Sequence, residues 1–226
     1  MDLSKYLLKN APSDLYYLPN FITENEENFI FDKVNSAPKP KWVQLLNRRL
    51  QNWGGNPTKN GMILEPIPTW LQIFMDRIDQ LDAFNDGQIK TNHVLVNEYL
   101  PGQGIMPHED GPMFYPTIAT ISCGSGTVLK FERKPSQDCD TEDANNLPQN
   151  VSIYLERRSL VLVKGHLYRN YLHSIEELES DRISTEICNL SSLDYQDGDR
   201  IDRDTRLSLT IRHALKVCKL KLRLGR

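Results

Sequence analysis

The chain has 226 residues, of which 39% are hydrophobic and 25% are charged, and its formal net charge at pH 7 is -3. This length is enough for one hydrophobic core, so we expect a single domain spanning residues 1–226. The small net charge gives no global sign of a nucleic-acid or membrane partner, and no stretch approaches the roughly 20 apolar residues that a membrane helix needs. We therefore expect a monomer that stays inside the cell.

The cysteines give no sign of a metal cluster or of a disulfide framework. They are widely spaced and form no C-x-x-C pair, the spacing that structural zinc sites commonly use. The four are Cys123, Cys139, Cys188 and Cys218. Reduced thiols are typical of proteins of the cytoplasm and nucleus, which are the expected locations.

Two helices are predicted before residue 91. Thr23 and Glu26 have the spacing of a capping box, and the apolar residues that follow recur at helical intervals, which predicts a helix over residues 24–36. A second helix is predicted to begin near Pro68, because the fixed φ of proline suits a first helical turn. Its apolar face would consist of Leu71, Phe74, Ile78 and Leu81.

An irregular segment, residues 37–64, lies between the two helices and is rich in proline and glycine. Its short apolar runs suit the strands of a hairpin. The segment has no acidic residue, and Trp42 and Trp53 lie among its cations. The cations are Lys39, Lys41, Arg48, Arg49 and Lys59. The segment is therefore positively charged, whereas the net charge of the whole chain is negative.

From residue 92 the pattern becomes that of β-strands. Short runs rich in β-branched residues are bounded by proline, glycine or polar clusters, and they predict an all-β core of roughly eight strands. The runs are HVLVNEY, TIATI, TVLKF, SIYL, SLVLV and RLSLTIR. Two acidic stretches, residues 132–150 and 176–204, are poor in large apolar side chains, so we expect loops there, with disorder as an alternative. The fold class is thus mainly β with flanking helices.

A candidate metal site lies in the segment PGQGIMPHEDGP. His108 and Asp110 are two residues apart, so an extended backbone would point both side chains to the same side. The alternative is that this segment is a surface turn with no metal. A third ligand would complete the two-histidine, one-carboxylate face of non-haem iron(II) oxygenases. The remaining histidines are His93, His166, His173 and His213. His173 is favoured over His166, because it lies in an extended stretch after a strand whereas His166 lies in a turn.

The run RLSLTIR, residues 206–212, alternates without a break between an apolar and a polar face. Arg206 and Arg212 share the polar face, and six residues of strand span about 20 Å, which two arginine side chains and a dicarboxylate between them could fill. The alternative is an edge strand with two solvated arginines. In the strand HVLVNEYL, Asn97 and Tyr99 share one face and could donate hydrogen bonds to a carboxylate.

The order of these motifs resembles that of the AlkB family of nucleic-acid dioxygenases. The motifs are N-E-Y, P-G, H-E-D, L-H-S-I and R-L-S-L-T-I-R, and they run from about Asn92 to His213. The segments KPKWVQL, LQNWGG and GIMPHEDGP are most similar to one branch of that family, AlkB homologue six. The resemblance implies a double-stranded β-helix (jelly roll) over residues 92–226. Residues 1–91 would then form its helices and a substrate lid.

The resemblance also implies roles for individual residues. Fe(II) would be held by His108, Asp110 and His173, and the co-substrate 2-oxoglutarate by Asn97, Tyr99, Arg206 and Arg212. In this family O2 reacts at the iron, 2-oxoglutarate becomes succinate and carbon dioxide, and a substrate C–H bond is hydroxylated. Ser208 stands where several relatives carry asparagine.

A nucleic-acid substrate is favoured because cations interleaved with tryptophans suit phosphate neutralisation together with base stacking. The candidate substrate contacts are Arg48, Arg49 and Trp53. The alternative is that Trp42 and Trp53 form the core of a small hairpin. Two other functions remain open, an oxygenase that acts on protein side chains and a nucleic-acid-binding module with little turnover.

Overall fold

The computed structural model describes residues 2–12, 14–84, 87–135 and 147–218. Three α-helices lie within these ranges: α1 (Glu24–Asn35), α2 (Thr69–Asp79) and α3 (Gly165–Asn170). Short 3-10 turns cover Leu3–Tyr6, Lys39–Lys41 and Leu190–Ser192. Among the described residues, no helix is long and apolar enough to cross a membrane.

The strands of these ranges follow in chain order. The first eight are β1 (Leu15–Leu18), β2 (Trp42–Gln44), β3 (Arg49–Trp53), β4 (Met62–Ile63), β5 (His93–Tyr99), β6 (Ile105–His108), β7 (Thr117–Gly124) and β8 (Thr127–Arg133). The others are β9 (Asn150–Leu155), β10 (Leu160–Lys164), β11 (Tyr171–Ile175), β12 (Ser180–Arg182), β13 (Arg200–Asp202), β14 (Arg206–Arg212) and β15 (Val217–Cys218).

Two antiparallel sheets build the core. The larger has the strand order β1-β10-β7-β14-β5-β3-β2, and the smaller has the order β6-β11-β8-β9. Most neighbours in each sheet, apart from the pairs β2-β3 and β8-β9, are not consecutive in the chain, so the chain crosses repeatedly between the sheets, as a jelly roll requires. The pairs β12-β13 and β4-β15 lie outside the two sheets. Strand β14 is central in the larger sheet, because β5 and β7 flank it.

The main hydrophobic core lies between the larger sheet and the helices α1 and α2. One face of β5 and β14 packs there through residues that are fully buried: Val94, Val96, Leu207, Leu209 and Ile211. The same cluster contains Ile30 and Val34 from α1 and Leu71, Phe74 and Ile78 from α2. Because side chains alternate along a strand, the other face of β5 and β14 is turned toward the smaller sheet.

The two predicted helices are confirmed to within two residues. Helix α1 begins with the predicted capping box, in which the Thr23 hydroxyl accepts from the Glu26 backbone N–H and the Glu26 carboxylate accepts from the Thr23 N–H. Helix α2 follows Pro68, and Leu71, Phe74 and Ile78 are buried. Local spacing was sufficient here because a helix is fixed by contacts three and four residues apart.

The expectation of loops or disorder over residues 176–204 is wrong in part, since β12, β13 and a 3-10 turn lie there. The few apolar residues of this segment form a cluster of their own around Tyr154, in which Ile183 and Ile187 are buried. Arg203 anchors the segment by two hydrogen bonds of 2.7 Å to the buried carboxylate of Asp181. In the other predicted loop, residues 136–146 and Cys139 with them lie outside the described residues.

Asp181→Asn should lower the free energy of unfolding by about 3 kcal/mol, because it leaves the Arg203 guanidinium buried without a counter-charge. Asp202→Asn is the matched control, since Asp202 is 88% exposed and lies 3.8 Å from Arg200. Urea unfolding of both variants measures the difference, and the control should match the wild type. Equal losses in the two variants would contradict the anchoring role of Asp181.

Candidate active site between the two sheets

A cavity of about 320 Å³ lies between the inner faces of the two sheets. This volume is within the range of small-molecule sites in proteins. Its walls are largely aliphatic and aromatic, and they include Leu95, Ile118, Leu129, Phe131 and Val161. All seven residues predicted to hold the metal and the co-substrate line it: Asn97, Tyr99, His108, Asp110, His173, Arg206 and Arg212.

Strand pairing in the smaller sheet brings the three predicted metal ligands together. His173 on β11 is the direct cross-strand partner of His108 on β6, and the centroids of their rings are 4.2 Å apart. Asp110 follows β6, and its Oδ2 lies 3.6 Å from His173 Nε2. The Nδ1 of His108 lies 2.8 Å from the Met106 carbonyl, so Nδ1–H donates there and Nε2 is left as the metal-binding nitrogen.

This donor set fits Fe(II) in its chemistry, since it offers two imidazoles and one carboxylate on one side of a cavity. Within the described ranges no group of three donors converges as the side chains lie, and Asp110 Oδ1 accepts a hydrogen bond from Arg212 Nη1. Donors that share an ion at about 2.1 Å each lie about 3 Å apart, and His173 Nε2 lies 3.6 Å from Asp110 Oδ2, close to that spacing.

The protonation states of these groups suit metal binding. Burial lowers the pKa of His173 to about 4, so its imidazole is neutral near pH 7. Burial acts to raise the pKa of Asp110, but the Arg212 guanidinium and the two imidazoles outweigh it, and the pKa lies below its usual value. A neutral imidazole and an ionised carboxylate are the forms that bind metals.

Arg206 is a buried cation without an acidic partner among the described residues. It is 4% exposed, Nη2 donates to Ser122 Oγ at 2.9 Å, and the buried Nε has no hydrogen-bond partner. Burial lowers its pKa, which reflects the free energy needed to keep this charge out of water. A buried guanidinium is stable only with a compensating anion, so the end of the cavity at Arg206 is suited to a carboxylate ligand.

Asn97, Tyr99 and Ser208 complete this side of the cavity. Tyr99 is the cross-strand partner of Arg206, and Asn97 is that of Ser208. Burial raises the pKa of Tyr99, so its hydroxyl remains a donor. The Asn97 Oδ1 accepts from Arg48 Nε at 3.1 Å.

Only one of the three predicted substrate contacts reaches the cavity. Arg48 lines it, whereas Arg49 lies on the opposite face of the sheet and donates to both carboxylate oxygens of Glu98 at 2.5 and 2.7 Å. Trp53 shares that face, where its ring meets Trp70 edge to face at 6.0 Å. Arg49 and Trp53 lie outside the cavity, because odd-numbered side chains of β3 point toward the helices, and their role as substrate contacts stays a prediction. Trp42 and Trp53 are partly buried and pack against the main hydrophobic core, so they do not form a separate core of the hairpin.

Among the described residues, the remaining histidines make no direct hydrogen bond to His108 or Asp110. His166 lies on α3, where it contacts Asn170, and Nδ1 of His213 contacts the Lys90 carbonyl. His93 is fully buried between Asn52 and Arg212. Sequence patterns missed the roles of Ser122 and His93 beside the two arginines, because both depend on pairing between distant strands.

The comparison with protein families places this geometry in a known group. The model of the 2OG-Fe(II) oxygenase superfamily matches residues 41–212. The chain belongs to this superfamily. It is an oxidoreductase that uses Fe(II), 2-oxoglutarate and O2, as expected from the sequence.

Relatives extend the match over the full chain. The zebrafish (Danio rerio) protein called probable RNA/DNA demethylase ALKBH6 is 47% identical over 228 residues, which cover 100% of this chain and 96% of that protein.

Two solved structures share the fold at low identity. OsALKBH1 has a TM-score of 0.56 at 13% identity, covering 88% of this chain and 96% of its own. A Burkholderia pseudomallei 2OG-Fe(II) oxygenase has a TM-score of 0.59 at 11% identity, covering 96% and 95%. The predicted jelly roll is confirmed.

The buried histidine gives this oxygenase a pH-dependent stability. Burial, with the Arg212 charge next in weight, lowers the pKa of His93 to about 3 in the folded protein. The unfolded chain therefore binds a proton near pH 6.5 that the folded protein does not, and stability falls as the pH drops below 6.5. His173 has a lowered pKa too and adds to this loss.

Each such histidine should contribute up to about 1.4 kcal/mol per pH unit between pH 6.5 and 5 in metal-free protein. His93→Asn should remove the share of His93, so its free energy of unfolding should vary less with pH than that of the wild type. His213→Asn is the control for the loss of an imidazole, because His213 is half-buried, contacts the Lys90 carbonyl and does not line the cavity. Urea unfolding at several pH values measures the slopes. A wild-type slope in His93→Asn would refute the assignment.

Proposed function

We propose that this oxygenase hydroxylates or oxidatively demethylates a nucleic-acid substrate in the cavity between the two sheets. Its iron would be held by His108, Asp110 and His173. The observation that carries the proposal is the unpaired guanidinium of Arg206, which lies in the same cavity as this ligand set. An open metal face beside a buried cation suits a metal-bound dicarboxylate.

The chain would hold 2-oxoglutarate at its two ends. Arg206, which donates to Ser122 and lies 5.7 Å from the centroid of the Tyr99 ring, would bind the carboxylate far from the metal. Arg212 lies beside Asp110 and would meet the carboxylate near the metal. When bound, iron and 2-oxoglutarate supply the oxidation of a C–H bond by O2, coupled to release of succinate and carbon dioxide. The apolar walls of the cavity would exclude water.

A nucleic-acid substrate is supported by the likeness to the zebrafish protein called probable RNA/DNA demethylase and by the position of Arg48. Two other cations of the basic segment are paired, Lys41 with Glu65 and Arg49 with Glu98. Arg48 is half-buried at the cavity, and its one hydrogen bond to the described part of the chain is from Nε to Asn97. Its terminal nitrogens are therefore suited to a phosphate or to a base acceptor atom.

The direct test incubates the protein with iron(II), ascorbate, 2-oxoglutarate and a panel of methylated DNA and RNA oligonucleotides. Mass spectrometry should show loss of one methyl mass from one class, with an equal amount of succinate. A matched panel of methylated peptides is the control. Turnover of the peptides alone would overturn the nucleic-acid assignment while leaving the oxygenase in place.

Arg206→Gln should weaken 2-oxoglutarate binding by roughly 30-fold or more, because it removes the charge that would pair with the distal carboxylate. Anaerobic titration of the iron(II) protein with 2-oxoglutarate, followed by the charge-transfer absorbance, measures the dissociation constant. Arg49→Gln is the control, since Arg49 faces away from the cavity and should leave that constant unchanged. Undiminished affinity in Arg206→Gln would exclude this carboxylate site.

Arg48→Ala should weaken binding of the reacting oligonucleotide and reduce the dependence of its affinity on salt by about one phosphate contact. Arg49→Ala should lower thermal stability, because Glu98 loses its partner, but should leave the salt dependence intact. Fluorescence anisotropy at several salt concentrations separates the two arginines. The same salt slope in wild type and Arg48→Ala would contradict the role of Arg48.

Three expectations from the sequence remain predictions. They are a single domain over residues 1–226, a monomeric state, and a location in the cytoplasm and nucleus.

A further inference from the structure

His93 lies at the start of β5 with its side chain between two polar partners. Its Nε2 is 3.3 Å from Asn52 Oδ1 on β3, and its Nδ1 is 3.3 Å from Arg212 Nη2 on β14. The ring packs against Phe114 with centroids 5.5 Å apart, and the Arg212 guanidinium lies 3.9 Å from the centroid of the same ring. His93 is 0% exposed, so water cannot replace either partner.

The chemistry of the partners fixes the tautomer of His93. An arginine only donates hydrogen bonds, so the Nδ1 that faces Arg212 must be an unprotonated acceptor. The single ring proton is then on Nε2, where it donates to the amide oxygen of Asn52. Burial lowers the pKa of His93 to about 3, in agreement with a neutral imidazole beside a cation.

The line of contacts continues to the candidate metal ligand. Arg212 is the direct cross-strand partner of His93, and its Nη1 donates to Asp110 Oδ1. Asn52, His93, Arg212 and Asp110 therefore form one hydrogen-bonded chain from β3 through β5 and β14 to the segment after β6. The Arg212 Nε has no partner among the described residues, so His93 and Asp110 are the groups that orient this guanidinium.

We propose that His93 is a positioning residue, whose Nδ1 orients Arg212 toward Asp110 and toward the co-substrate carboxylate beside the metal. This role rests on the proposed function of the cavity. An apolar residue in the same place would leave a buried N–H of Arg212 without an acceptor and free the guanidinium to rotate. Asn52 would act one step further away, because its oxygen selects the tautomer that presents Nδ1 to Arg212.

Two substitutions separate this role from simple packing. In His93→Asn the amide oxygen takes the place of Nδ1, so the acceptor for Arg212 is kept. In His93→Gln the amide nitrogen takes the place of Nε2, so the donor to Asn52 is kept and the acceptor is lost. We expect His93→Gln to raise the dissociation constant of 2-oxoglutarate about tenfold in the iron(II) protein, and His93→Asn to restore it to within about threefold of wild type.

The anaerobic charge-transfer titration measures these constants, and thermal unfolding shows whether each variant is folded. Equal constants in His93→Gln and wild type would overturn the proposal. An equal loss of 2-oxoglutarate affinity in both variants would also overturn it, because the Nδ1 acceptor would then not determine how well the co-substrate binds.

A second measurement does not depend on the variants or on bound iron. Nitrogen-15 NMR of histidine-labelled wild-type protein should show His93 with Nε2 protonated and Nδ1 bare near pH 7, in contrast to the mixed tautomers of an exposed histidine. A protonated Nδ1 would overturn the proposal even if no variant folded. If the tautomer is as expected but iron(II) and 2-oxoglutarate do not bind to the wild type, the proposed function fails and the orientation of Arg212 by His93 stands.

Discussion

The alternation of side chains along β14 is the constraint on which the rest of the structure depends. This strand lies at the centre of the larger sheet, between β5 and β7. Leu207, Leu209 and Ile211 are buried against the two helices, so the other face, with Arg206 and Arg212, must point between the sheets. Packing of the apolar face thereby forces two guanidinium groups into a low-dielectric cavity. One face of β14 thus lies in the hydrophobic core, and the other lines the candidate site.

Arg206 differs from three other arginines of the described residues, each of which has an acidic partner. Arg203 and Asp181 are paired, Arg49 is held by Glu98, and the buried carboxylate of Glu27 accepts from Arg157. These pairs meet the general requirement that a buried charge has a counter-charge. Arg206 has a serine hydroxyl instead. A dicarboxylate co-substrate would supply the missing negative charge beside Arg206. The same unpaired charge therefore lowers the stability of the empty site and attracts a carboxylate ligand.

The smaller sheet and the segment after it carry the proposed metal ligands, which line the same cavity as these arginines. Pairing of β6 with β11 sets His108 beside His173, and Arg212 links the two sheets by its contact with Asp110. The co-substrate site and the metal site are therefore coupled through one side chain, whose orientation depends on His93. Arg48 enters the same cavity from the β2–β3 hairpin, on the side of Asn97. The residues proposed to contact co-substrate, metal and substrate thus line one cavity.

The sequence by itself determined the features that local spacing encodes. The capping box located α1, the alternation of RLSLTIR located β14 and its two faces, and the H-x-D spacing placed two donors on one side of an extended segment. Only the tertiary structure decided which residues of β3 face the cavity, so that Arg48 enters it while Arg49 and Trp53 do not. It also decided that residues 176–204 contain ordered strands and that Ser122 and His93 hold the arginines. These features depend on the register between strands far apart in sequence, which no local pattern specifies.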